Sequence, residues 1–155
     1  MRKTGLILFA AVTFAVAAGD PPGLVQWTSS ELLGLDGQLA QKLSPQKVAH
    51  QPLRDFGTHS ATMVHRQGDG EAEVHEKVSD VFIVRSGEGT LVVGGKVIGG
   101  KNTEPGEIRG KSIQGGVSKK IAVGDIINIP VNTPHQTLVR PGQRITIFVV
   151  KVKAP

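Results

Sequence analysis

Three stretches of the chain hold side chains whose types and spacing could do chemistry. In Glu71-Ala72-Glu73-Val74-His75 a carboxylate and an imidazole stand two residues apart. On a strand, that spacing puts Glu73 and His75 on one face and Val74 on the other. Asp80 follows five residues after His75 and opens the apolar run Val81–Val84, so a hairpin there can return it toward His75. Residues 124–139, GDIINIPVNTPHQTLV, pass from a Gly-Asp turn through an apolar strand and a polar corner to His135. Imidazoles and carboxylates converging from separate strands are the donors a divalent metal takes. Other chemistries find less support. There is no Cys for a thiolate metal site or a cysteine nucleophile, and no Gly-x-Ser-x-Gly for acyl transfer. The Gly-rich segment 94–116 lacks a phosphate-loop pattern.

Further polar residues are candidates for roles around such a centre. His65 and Glu73 are the candidate general bases. His65 is also the better spare ligand, His59 reads as a surface or pocket-wall residue, and His50 receives no role. Arg66, Arg85 and Arg144 are candidates to clamp an anionic ligand, since guanidinium matches a carboxylate with two parallel hydrogen bonds. Gln136, next to His135, is a candidate substrate contact. Glu71, Glu76 and Lys77 are expected toward solvent.

The elements that must position these residues are mostly strands. Alternating or apolar segments recur at Ala61–Arg66, Ala72–His75, Val81–Arg85, Thr90–Val93, Lys96–Ile98, Lys119–Val123, Ile126–Ile129, Gln136–Val139 and Ile145–Lys153. Gly, Pro, Asn and Asp punctuate them, a pattern that argues for an all-β sandwich or barrel. Gly87-Glu88-Gly89 reads as a turn, and 94–116 as a long hairpin or flap. Before the strands, Leu32, Leu35, Leu39 and Leu43 follow helical spacing behind a cap at Ser29 or Ser30, which predicts a short helix over 29–43.

The chain has 155 residues, enough for one ordinary domain. Residues 1–17 have the layout of a secretory signal peptide: Arg2 and Lys3, an apolar stretch, then the small residues Ala15-Val16-Ala17. We therefore expect an exported protein, periplasmic or secreted, with no stable membrane insertion after processing. Residues 18–57 read as an N-terminal extension carrying the helix, and 58–155 as the β-barrel domain. The net charge is +5; without Arg2 and Lys3, 16 basic residues face 13 acidic ones, a net +3. The basic residues are scattered and aromatics are only 4%, which argues against nucleic-acid binding and for a mild preference for small anions.

On these residues the sequence resembles the cupins, small jelly-roll β-barrels. Their first motif runs Gly, five residues, His-x-His, three or four residues, Glu, six residues, Gly. Here Gly68 lies near the first position, Glu73-Val74-His75 takes the place of His-x-His, Asp80 that of Glu, and Gly87 follows after six residues. The second motif, Gly, five residues, Pro-x-Gly, two residues, His, three residues, Asn, is matched by Gly124, Pro130, Asn132 for Gly, His135, and Val139 for Asn. The resemblance covers roughly Ala61 to Val150. It implies a cupin-type jelly roll with one divalent transition metal (Mn, Fe, Zn or Ni) held by Glu73, His75, Asp80 and His135, with Asp80 either a ligand or a brace. It further implies a small metalloenzyme of lyase, isomerase or oxygenase type acting on a small polar or anionic molecule, or alternatively a non-catalytic small-ligand or sugar-binding module. A homodimer is the expected assembly.

Overall fold

A computed structural model describes residues 19–154; the signal-peptide segment expected over 1–17 lies outside the described residues. Among the described residues there is one α-helix, α1 (Ser29–Leu39), ahead of the strands. Thr28, not Ser29 or Ser30, caps it. Its side chain accepts from the Glu31 backbone while Glu31 reaches back to the Thr28 backbone, a reciprocal capping box. The helix ends four residues before the expected Leu43. Leu32 and Leu39 bury themselves with Ala49 and Met63, and Trp27, Leu35, Leu43, Leu53 and Phe148 pack around them.

Twelve strands follow: β1 (Val48–Asp55), β2 (His59–Arg66), β3 (Ala72–His75), β4 (Val78–Val93), β5 (Lys96–Ile98), β6 (Lys101–Glu104), β7 (Glu107–Gly110), β8 (Ser112–Gln114), β9 (Val117–Ala122), β10 (Ile126–Ile129), β11 (His135–Leu138) and β12 (Ile145–Lys153). All pairings are antiparallel. One half of the fold runs β1-β2-β12-β4-β10, the other β9-β4-β11-β3-β7-β6. The 16-residue β4 belongs to both, pairing with β12 and β10 before Gly87 and with β11 and β9 after it. Gly87-Glu88-Gly89 is therefore a bend inside one strand, not a turn between two. Gly87 has φ +72°, and a Cβ there would lie 1.9 Å from the Arg144 carbonyl oxygen, so the motif position demands glycine.

The sheet begins at Val48, ahead of the expected Thr58, because β1 pairs with β2 from Val48↔Arg66 to Asp55↔Ser60. This strand escaped the sequence reading because Pro52 and three charged or imidazole side chains interrupt its apolar pattern. Pro52 is tolerated since β1 is an edge strand. The segment 94–116 is a nested double hairpin, β5 with β8 and β6 with β7.

Residues from both halves meet in the interior: Val64, Phe82, Val84, Leu91, Ile121, Ile129, Val139, Ile145, Ile147 and Val149 are buried together. Each such side chain contributes about 1.5–3 kcal/mol by leaving water. Among the described residues, no helix is long and apolar enough to cross a membrane.

Candidate metal centre

Strand register decides what meets what. β11 lies against β3 with His135 opposite Glu73. On its other side β3 lies against β7, with Glu73 opposite Arg109 and His75 opposite Glu107. Asp80, the third residue of β4, lies opposite Lys151 on β12 and Ile129 on β10. The corner before His135 is pinned by the Asn132 backbone N–H, which donates to the His75 carbonyl at 2.8 Å. Asn132 holds φ 58°, a left-handed conformation that Asn adopts more readily than most residues, so it can stand where the motif has Gly.

One donor atom from each of Glu73, His75 and His135 lies within 4.8 Å of the others. His75 Nε2 is 3.5 Å from Glu73 Oε2, and His135 Nε2 is 3.9 Å from the same oxygen. Asp80 Oδ2 stands beside them, 3.3 Å from His75 Nε2 and 3.6 Å from His135 Nε2. His75, Asp80 and His135 are buried and Glu73 nearly so.

Each imidazole is oriented from behind. His75 Nδ1 donates to Glu107 Oε2 at 2.6 Å, and His135 Nδ1 donates to the Thr133 carbonyl at 3.0 Å. A proton fixed on Nδ1 leaves a lone pair on Nε2, the arrangement of metal-ligating histidines. His135 Nε2 is buried with no hydrogen-bond partner among the described residues. A buried polar atom left unpaired costs about 1–3 kcal/mol, and an ion at the focus of these donors would remove that cost. The residues fit a divalent transition metal held by two nitrogens and a carboxylate oxygen, a donor set common to several such ions.

The charges around the focus are paired in a way the sequence reading missed. Arg109 lies 2.5 Å from Glu73 Oε1, and Arg66 approaches the same oxygen at 3.7 Å. Burial resists ionisation of Glu73, but the adjoining His75 imidazole and the charges of Arg109, His135 and Arg66 outweigh it and bring its pKa to about 2. Lys151 Nζ donates to Asp80 Oδ1 at 2.9 Å and to His75 Nε2 at 2.9 Å. Burial resists charging Asp80 too, yet the adjoining His135 and His75 imidazoles and the Lys151 ammonium hold its carboxyl well below the usual range. His75 answers the same field. Burial disfavours its protonated form, but Asp80 and Glu73 overcome this and raise its pKa to about 9. A proton, the Lys151 ammonium and any bound ion would thus compete for one position at His75 Nε2.

The other candidate residues separate clearly. Arg66 and Gln136 line the cavity in front of the cluster. Gln136 donates its amide to the Gly70 and Lys111 carbonyls, so it ties loops together while facing the cavity. His65 does not line that cavity. It alternates with the cavity-lining Thr62, Val64 and Arg66 and so faces the helix, where it bonds Asp36 and Thr146 at 2.9 and 2.8 Å. That excludes it as a base or spare ligand. Arg144 is exposed and precedes β12, and neither it nor Arg85 lines the cavity, because Arg85 alternates with the core residue Val84. His59 stacks on Phe56, with ring centroids 4.6 Å apart. His50, given no role from sequence, lines the cavity mouth because β1 joins the sheet. Glu71, Glu76 and Lys77 are exposed. Arg109, Glu107 and Lys151 are the additions. A signal for the first two existed: Glu107-Ile108-Arg109 repeats the period-two spacing of Glu73-Val74-His75.

No family model and no curated protein sequence matches the chain. Solved structures do. TT1209 from Thermus thermophilus is similar at 19% identity and TM-score 0.54, covering 77% of this chain and 94% of that one. The polyketide cyclase RemF from Streptomyces resistomycificus is similar at 21% identity and TM-score 0.50, covering 71% and 69%. A cupin-2 domain protein from Rhodospirillum rubrum is similar at 15% identity and TM-score 0.51, covering 69% and 60%. With its curled antiparallel sheet halves joined by β4 and its polar cluster in the interior, the chain has the cupin fold.

Proposed function

We propose that this protein is an exported cupin that holds one divalent transition metal through Glu73, His75 and His135 and acts on a small anionic molecule. The observation that carries the reading is His135 Nε2, buried, unpaired and aimed at the same point as His75 Nε2 and Glu73 Oε2. When bound, the ion would supply Lewis acidity toward an oxygen of the substrate. Glu107 and the Thr133 carbonyl keep both imidazole lone pairs turned inward. Arg66 and Arg109 stand beside the donors and attract an anion. Asp80 stands at the edge of the cluster, paired with Lys151.

The charge inventory supports an anionic partner. Arg66, Arg109 and Lys151 in the cavity wall face Glu71, Glu73 and Asp80, so basic and acidic side chains balance. A divalent ion added to that wall brings positive charge that no side chain there offsets. The sequence alone suggests that Glu73 and Asp80 neutralise the ion, but Arg109 and Lys151 already engage them.

A second reading, a binding module without turnover, is favoured by the fate of the two candidate bases. Glu73 is held by Arg109, and His65 faces the helix. A homodimer belongs to the proposal. Val117, Val123 and Ile126 are exposed apolar side chains on or beside β9 and β10, each of which pairs only with β4 among the described residues.

The test is metal analysis of the protein with His75→Ala, His135→Ala and Glu76→Ala variants. Wild type and Glu76→Ala are expected to retain one equivalent, and each His variant to lose most of it. Stoichiometric metal in the double His variant would refute the reading. Mass spectrometry of the exported protein checks removal of residues 1 to about 17.

A further inference from the structure

The cavity in front of the metal residues is built in two zones. An inner chamber of about 250 Å³ reaches the cluster, and an outer cleft of about 760 Å³ opens beyond it. The two share His50, Arg66, Glu71, Glu73, Arg109 and Gln136 in their walls, so both guanidiniums stand at the seam. Inside the chamber, Val64 on β2, Phe82 on β4 and Ile147 and Val149 on β12 form an apolar surface. Register explains this surface: Val149 pairs with both Thr62 and Phe82, and Ile147 with Val64.

Arg66 is underused for a residue of its kind. Its side chain is 12% exposed, and among the described residues the carboxylate it meets is Glu73, at 3.7 Å and beyond hydrogen-bond range. A guanidinium has five N–H donors in a planar fork. Gly70 makes room for it, since a Cβ there would come within 3.0 Å of the guanidinium. Arg109, on the β7 hairpin, is 32% exposed and can turn toward an incoming group.

We infer that the ligand of this site is a small monocarboxylate with a short apolar tail, its carboxylate at Arg66 and Arg109 and its tail in the chamber of Val64, Phe82, Ile147 and Val149. The inference rests on the metal reading for the charge that calls an anion in. The two zones specify the rest. A second carboxylate in the chamber would meet the four apolar side chains and Asp80, whose ammonium partner Lys151 is already engaged, and a neutral hydrocarbon would leave Arg66 unmatched. The chamber lies just under the usual range of about 300–1,000 Å³ for drug-sized ligands, so the tail is a few carbons long.

Isothermal titration of the metal-loaded protein with propanoate, butanoate and pentanoate tests this, with pentanamide as the uncharged counterpart. Affinity should rise about fourfold per added methylene, the gain for burying one CH₂. Pentanamide should bind at least tenfold more weakly than pentanoate. Arg66→Gln should weaken all three acids tenfold or more while keeping the chain-length gain. Val149→Phe should abolish that gain. The wild-type series stands by itself if Val149→Phe proves unstable. Metal content measured in the same samples separates the two readings. A full metal complement with a flat chain-length series, or with pentanamide equal to pentanoate, overturns this inference alone. A protein that takes up no metal yet shows the charge and chain-length pattern overturns the metal reading and supports this one. A protein that shows neither overturns both.

Discussion

Replacing Lys151 by Met should tighten metal binding. Lys151 Nζ donates to His75 Nε2 at 2.9 Å, the lone pair that an ion at the cluster would use. The ion must break that contact and place its charge beside an ammonium. A hydrogen bond involving a charged group contributes about 1.5–3 kcal/mol, so removing the competitor corresponds to roughly 10- to 150-fold in affinity. Met keeps the length of the stem and removes the charge.

The same substitution should weaken the metal-free fold. Asp80 is 2% exposed and would lose its ammonium partner. Breaking a fully buried pair costs about 3–5 kcal/mol, but the Lys151 side chain is 36% exposed and water screens it, so about 2 kcal/mol is the reasonable figure. For a domain of this size that is a fall in Tm of about 8 °C. Metal should restore most of it, since the ion then faces Asp80. The assays are competition against a chromophoric chelator and melting curves with and without metal. Weaker metal binding in Lys151→Met, or an unchanged metal-free Tm, would show that Lys151 supports the centre and does not compete with it.

Three further outcomes follow from named contacts. Glu107→Gln should lower metal affinity about 10- to 100-fold, because it removes the carboxylate that orients His75, and chelator competition reads this directly. Asp36 ties α1 to the barrel through Ser86, Thr146 and His65; burial raises its pKa, but these bonds outweigh burial and hold the carboxyl below its ordinary value. A depressed folded pKa contributes stability that is complete above the unfolded value and is lost as pH falls through the folded one, so Asp36→Asn should flatten the loss of urea stability in acid. Asn132→Gly should be neutral or slightly stabilising, whereas Asn132→Ala should cost about 1 kcal/mol at the same φ of 58°, as measured by urea unfolding.

What could be read from the sequence depended on whether the signal was local. β3, β5, β10 and β12 start and stop where alternation and turn residues place them: Gly95 and Gly99 bracket β5, Gly124 and Pro130 bracket β10, and Gly142 precedes β12. β1 was hidden by Pro52 and its polar face, and it took His50 to the cavity unseen. His65 failed for a reason periodicity cannot supply. Parity put it on the face opposite Arg66, but only the position of α1 reveals which face is the interior. Lys151 lay in the open, continuing the alternation of Ile147 and Val149. It reads as the solvent end of a strand until β4 brings Asp80 opposite.

Arg109 bears most directly on the departure from the cupin motif. Where the motif has His-x-His, this chain has Glu73-Val74-His75, which exchanges a neutral nitrogen donor for an anionic oxygen. Alone, that exchange would neutralise half the charge of a divalent ion and weaken its pull on an anionic ligand. Arg109, directly opposite Glu73 in the β3–β7 register, takes one carboxylate oxygen and leaves the other toward the two imidazoles. The Glu73–Arg109 pair has no net charge, as a neutral His has none. A bound ion would therefore keep about the charge that two neutral imidazoles and a third neutral donor would leave it. The guanidinium that restores this balance also lines the path by which a carboxylate would enter. The departure at Glu73 and the basic seam of the cavity are thus two parts of one electrostatic arrangement.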